Sequence, residues 1–196
     1  MIYRILMLSC LSAPAWAACP VADDLANGIR LMADDGAVET YRKIAPHMVE
    51  LTVTYDDDFA DRSLLGQGVY ILELSELYNG KPEPDTTLIY TYPVAADAMP
   101  VPAPGVVWRT RALVGGSDEE KITASWGQPQ QMTFGACSYT VIPGELVYAG
   151  ADYREVEGLH YLPELGFAYL ASVTSDDDEY VDEYVILSIT AVGPDE

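Results

Sequence analysis

Basic residues are scarce in this chain: 10 Lys and Arg stand against 31 Asp and Glu, for a formal net charge of −21. A surface of that sign repels phosphate backbones and anionic headgroups, so neither nucleic-acid binding nor docking on a membrane surface is expected. Its default use is solubility. Histidine is scarcer still. His47 and His160 each stand without a neighbouring His, Cys or H-E-x-x-H pattern, which argues against an imidazole-based zinc site. No apolar run approaches the roughly 20 residues of a membrane helix, so no transmembrane segment is expected. G-x-S-x-G, P-loop, G-x-G-x-x-G and C-x-x-C patterns are all missing, and Gly115-Gly116-Ser117 runs into Asp118-Glu119-Glu120 as a loop. No catalytic residue and no cofactor are expected.

The chain opens with one charge, Arg4, then an apolar stretch from Ile5 to Leu11, then Ala15-Trp16-Ala17 with small residues where a signal peptidase reads. Residues 1–18 are therefore read as a secretory signal, and 19–196 as a single β-rich domain, periplasmic or secreted. Of three cysteines, Cys10 leaves with the signal, and the pair that remains in an oxidising compartment, Cys19 and Cys137, is expected to form a disulfide. Ala17-Ala18-Cys19 also permits the rival reading of lipid attachment at Cys19. Trp16, where lipoprotein signals carry an aliphatic residue, and the even cysteine count both favour the disulfide.

Helical periodicity is sparse. Alternation of apolar and polar residues recurs at 49–55, 87–92 and 106–112, and further strands are expected at 28–32, 38–42, 68–74, 121–126, 131–134, 138–142, 145–149, 166–173 and 184–192. Asp34-Asp35-Gly36 supplies a hairpin turn between the first two. A short helix is expected only over 21–27. The fold class is mainly β: antiparallel meanders forming one compact sheet, either a half-barrel or a sandwich-like unit. Pro93, Pro100, Pro102 and Pro104 mark residues 93–105 as an extended connection, since proline removes a ladder donor.

The segments on either side of that connection share landmarks. Cys19 and Cys137 are offset by 118, Pro46 and Pro163 by 117, and Asp56-Asp57-Asp58 and Asp176-Asp177-Asp178 by 120, each Asp run following a Val-Thr pair. An internal repeat, 19–92 and 137–192, is the expectation these landmarks raise, with chance resemblance as the alternative. If it is real, the two cysteines join pseudo-symmetric halves.

Fourteen tyrosines against three phenylalanines suit curved sheets, where a ring packs and its hydroxyl reaches a partner. Tyr139, Tyr148, Tyr153, Tyr161 and Tyr169 are core by default and line a ligand groove in the alternative. Carboxylate pairs such as Glu73 with Glu76, or Glu155 with Glu157, are what a glycosidase-like hydrolase uses, but their abundance favours solvated strand faces. The Asp runs offer oxygen ligands of the kind calcium takes, without EF-hand spacing. Asp56, Asp57, Asp58, Asp176, Asp177 and Asp178 are thus weak calcium candidates.

Three stretches carry a resemblance: Gly28-Ile29 through Asp35-Gly36 to Glu39-Thr-Tyr41-Arg42; Leu65-Gly-Gln67-Gly68-Val-Tyr70; and Tyr161-Leu-Pro163-Glu164-Leu165-Gly166. Together they resemble a family of exported proteins of marine and related alphaproteobacteria that has no known function. The resemblance implies fold and compartment and transfers no catalytic residue. The last stretch is also similar to a step before a late strand in open β-half-barrels of the cell envelope, some of which carry lipids or lipoproteins. The expected function is a non-catalytic binding or structural module of the envelope, with a protein or a small apolar molecule as partner. A carboxylate hydrolase and a calcium-dependent interaction protein are the alternatives.

Overall fold

The computed structural model describes residues 18–55, 58–176 and 180–193, so the segment read as a signal lies outside it apart from Ala18. Five strands make a first meander: β1 (Ile29–Ala33), β2 (Val38–Ala45), β3 (Met48–Thr54), β4 (Phe59–Gly66) and β5 (Tyr70–Tyr78). Short β6 (Lys81–Pro82) and β7 (Leu88–Thr91) follow. A second meander comprises β8 (Val107–Val114), β9 (Asp118–Trp126), β10 (Gln130–Phe134), β11 (Cys137–Ala149), β12 (Arg154–Leu162) and β13 (Phe167–Ser175). Two pieces end the chain, β14 (Asp182–Glu183) and β15 (Ile186–Ala191). The expected helix near the N-terminus is a single 3-10 turn, Ala22–Ala26, in which Asp24 accepts from the Val21 N–H at 2.8 Å.

These strands form one antiparallel sheet in the order β14-β13-β12-β11-β9-β8-β7-β5-β4-β3-β2-β1-β15, with β6 beside β5 and β10 beside β11. The two ends of that order belong to one stretch of chain, Asp182 and Glu183 pairing with β13 and Ile186–Ala191 with β1. Between them the Tyr184 N–H donates to Ala171 at 2.9 Å, and the Asp34 N–H to Val185 at 2.9 Å. No continuous ladder closes a barrel, yet the sheet curls until its meanders face each other.

Packing between the faces is close. Tyr41 of β2 stacks on Phe167 of β13 with ring centroids 3.9 Å apart, in a core that includes Ile29, Leu31, Val141 and Leu162. A second cluster gathers Tyr70, Ile122, Trp126, Leu146 and Tyr161. Met99, from the proline-rich connection, is buried there, and Pro100 accepts the Tyr70 hydroxyl at 3.0 Å. The connection therefore clasps the first meander as well as leading away from it.

Gly68 sits where the halves meet. Its φ is +69°, its carbonyl accepts the Ala168 N–H at 3.0 Å, and an added Cβ would fall 2.8 Å from the Phe167 Cα. Gly68→Ala is expected to cost about 2 kcal/mol, from left-handed strain plus overpacking, read as a lower urea midpoint. An unchanged midpoint would contradict this close approach.

Beside the two-residue β6 and β14, two long strands are absent from the sequence-based expectation, β4 and β12, and one, β11, runs unbroken where two are expected. Pro143 lies between the pairing of β11 with β10, which ends at Val141, and that with β9, which begins at Gly144, so its missing N–H interrupts little. Gly144 leaves room for Trp126, whose Cζ3 would stand 2.6 Å from an added Cβ. In β4 and β12 the alternation is obscured because inward positions are polar: Asp61 and Ser63 in the first, Glu155 and Glu157 in the second.

Candidate functional site

Between the facing meanders lies a cavity of about 340 Å³. Strand register sets out one wall in rows. Glu39, Val53 and Asp61 stand opposite one another across β2, β3 and β4, followed by Leu51 and Ser63, then Leu65. Glu157 and Leu159 of β12 with Ala168 and Leu170 of β13 form the facing wall. Exposed Asp35 and Tyr55, with half-buried Tyr184, lie at the rim, while Leu65, Val69 and Ala168 are buried at the floor. Polarity thus falls from mouth to floor.

The carboxyls are the unusual part of this lining. Glu39 is only 8% exposed, and the Tyr41 hydroxyl donates to its Oε2 at 2.6 Å. Burial pushes Glu39 up to about 7, against the lowering influence of Tyr41 and with a further raising contribution from Asp35. Burial also raises partly buried Glu157 to about 7, helped by the charges of Glu155 and Glu120. Asp61 accepts the Tyr55 hydroxyl at 3.0 Å, and burial first, then Asp61, pushes that phenol up to about 12. Among the described residues four carboxyl residues, Asp35, Glu39, Asp61 and Glu157, line the cavity, and no Lys, Arg or His does. Arg62, next in sequence to Asp61, is held by Glu50 at 2.8 Å and Glu73 at 2.7 Å.

Behind Glu157 the inner face of the second meander stays polar. Glu120, 3% exposed, accepts the Tyr153 hydroxyl, while its Oε2 and the buried hydroxyl of Tyr92 have no hydrogen-bond partner among the described residues. Burial raises Glu120 above the ordinary carboxylate range, with Glu155 adding to the effect.

The residues singled out from sequence separate clearly. Cys19 and Cys137 are joined by a disulfide with Cα atoms 5.5 Å apart, well within the usual span, which leaves the Cys19 sulfur no valence for a lipid thioether. Of the calcium candidates, Asp56, Asp57, Asp177 and Asp178 lie outside the described residues. Asp58 stands in the β3–β4 turn, and Asp176 is 3.8 Å from Arg154 just beyond β13. No group of three or more metal-ligating side chains occurs among the described residues. Tyr139, Tyr148, Tyr161 and Tyr169 are core, and Tyr153 is exposed. His47 is in the β2–β3 turn within 3.4 Å of Gln67, and His160 meets the Tyr169 hydroxyl at 2.7 Å. Glu73 is spent on Arg62.

Glu157 corrects the expectation of a solvated strand face, because β12 turns it inward. Neither Glu39 nor Asp61 is among the site residues expected from the sequence. For Glu39 a signal existed: folding the chain at Asp34-Asp35-Gly36 places it opposite Leu31 and on the same face as Tyr41.

Fold and cavity define the class: an all-β, single-sheet, disulfide-linked protein with an acid-lined apolar cavity between its meanders. No protein-family model, curated protein or solved structure matches the chain. No helix among the described residues is long and apolar enough to cross a membrane.

Proposed function

We propose that this protein is an exported, non-catalytic binding module of the cell envelope, periplasmic or secreted, that holds a small apolar ligand between its meanders. The cavity carries the reading: at about 340 Å³ it lies at the lower end of the size range of ligand pockets. It also exceeds the roughly 150 Å³ that accommodates one benzene ring. The disulfide supports the compartment, because such bonds persist outside reducing cytosol. The resemblance to exported alphaproteobacterial proteins points the same way.

A hydrolase needs two carboxyls driven to opposite protonation states, one acid and one base. Glu39 and Glu157 are pushed in the same direction, to the same range, by the same cause, which favours binding over that chemistry.

The test is saturable uptake of the uncharged dye N-phenyl-1-naphthylamine, followed by fluorescence. Ala37→Phe places a ring in the half-buried lining of the cavity, and it is expected to weaken uptake at least about tenfold while the variant still unfolds cooperatively, with its stability lowered by no more than about 3 kcal/mol. Absence of saturable uptake, or uptake indifferent to Ala37→Phe, would refute the cavity as the binding site.

A further inference from the structure

We infer that the ligand of this cavity is a lipophilic cation, an alkylammonium or comparable amine that enters apolar end first and leaves its charge beside Glu39, Asp61 and Glu157. The inference rests on the binding reading above and narrows it to one chemical class.

Charge pattern is the first support. Carboxyl residues line both walls and the rim, and the cationic side chain adjacent in sequence, Arg62, is engaged with Glu50 and Glu73. A carboxylate, sulfate or phosphate entering here would meet four acids and no counter-charge. Burial of Glu39 is the second. It is more than nine-tenths buried, and Tyr41 is its one hydrogen-bond donor among the described residues, so a buried carboxyl retains unused acceptor capacity. An ammonium group supplies both the missing donors and the missing charge, and a neutral ligand supplies no charge. The third is the gradient of the walls. Leu65, Val69, Leu159 and Ala168 offer an alkyl chain a dry floor, while Tyr55 and Tyr184 present rings near the mouth, where a cation gains from an aromatic face.

Binding is therefore linked to protons. Glu39 and Glu157, both near 7 because of burial, lose their protons more readily once a cation sits beside them. Affinity is expected to rise from pH 6 to pH 8, with proton release on binding. The groups facing these carboxyls are Asp35 from the β1–β2 turn, Tyr41 on β2, Tyr55 just after β3, Asp61 on β4, Tyr90 and Tyr92 at the end of β7, Tyr148, Glu155, Glu120 and Tyr169 on the second meander, and Tyr184 between β14 and β15. Every one of them is an acid or a phenol.

A matched set of eight-carbon ligands separates the possibilities by displacement of N-phenyl-1-naphthylamine from the full mature chain at pH 8 and pH 6. Octylamine, which stays protonated at both values as a lysine side chain does, is expected to bind at least about tenfold tighter than octanol at pH 8, with octanoate weakest. That preference is expected to shrink several-fold at pH 6. Glu39→Gln and Glu157→Gln are each expected to bring octylamine close to octanol without weakening octanol itself. If octanol binds as tightly as octylamine, or octanoate binds best, the cation assignment is overturned and the apolar-ligand reading stands. If neither the dye nor any of the three binds, both fall.

Discussion

Removing the Cys19–Cys137 bond is expected to lower stability by about 4 kcal/mol and the thermal midpoint by roughly 10 °C. The bond closes a loop between residues 118 apart in sequence, and in the chain-entropy account such a link acts chiefly by restricting the unfolded ensemble. Its local setting adds native contacts. Pro20, directly after Cys19, is fully buried and accepts the Tyr139 hydroxyl at 2.8 Å, and the 3-10 turn that follows carries Leu25 into the core. Without the bond this N-terminal segment is tethered at one end only. The check is thermal unfolding of wild type with and without reductant, beside a Cys19→Ala, Cys137→Ala double variant. Midpoints within about 2 °C of each other would remove the disulfide as a stabilising element, and an intact mass raised by a diacyl group would show lipid on Cys19 instead.

Glu39→Gln is expected to do the opposite, and to do it only above mildly acidic pH. Glu39 has a value of about 7 in the fold against an ordinary 4.5, so between those values the folded protein holds a proton that the unfolded chain gives up. Stability attributable to this group is therefore full below 4.5, falls as pH rises through the window, and is lost above 7. The span corresponds to about 3 kcal/mol at most. Glutamine keeps an acceptor for the Tyr41 hydroxyl and never ionises, so the variant is expected to match wild type near pH 4.5 and to exceed it by up to about 3 kcal/mol at pH 8. Urea unfolding across that range reads the difference directly, and parallel curves for the two proteins would show that Glu39 does not titrate as its burial requires. Glu157→Gln should move in the same sense, since burial raises Glu157 to the same range. A protein that keeps two such carboxyls at a cost in stability is expected to use them, which links this measurement to the ligand experiments.

How much of this could be read from sequence differs strand by strand. β3 has Glu50, Thr52 and Thr54 on one face and Val49, Leu51 and Val53 on the other, and its period is plain. β4 and β12 carry carboxyls on the inward face, and there the same rule fails. The failure has a meaning: the two long strands hidden from periodicity are those that furnish Asp61 and Glu157 to the cavity. The landmarks shared by the two halves also have structural settings, Pro46 and Pro163 both standing in turns between long paired strands, β2–β3 and β12–β13.

By itself the sequence determined composition-level properties and local geometry: an acidic β-protein, an expected signal, hairpin turns at glycines, and a cysteine pair with no third competitor outside the expected signal. Those follow from side-chain chemistry and from interactions a few residues long. Which of 31 acids would be buried was decided only when the sheet curled and set β2–β4 against β12 and β13, because desolvation depends on what lies across the gap, and sequence neighbours carry no record of that.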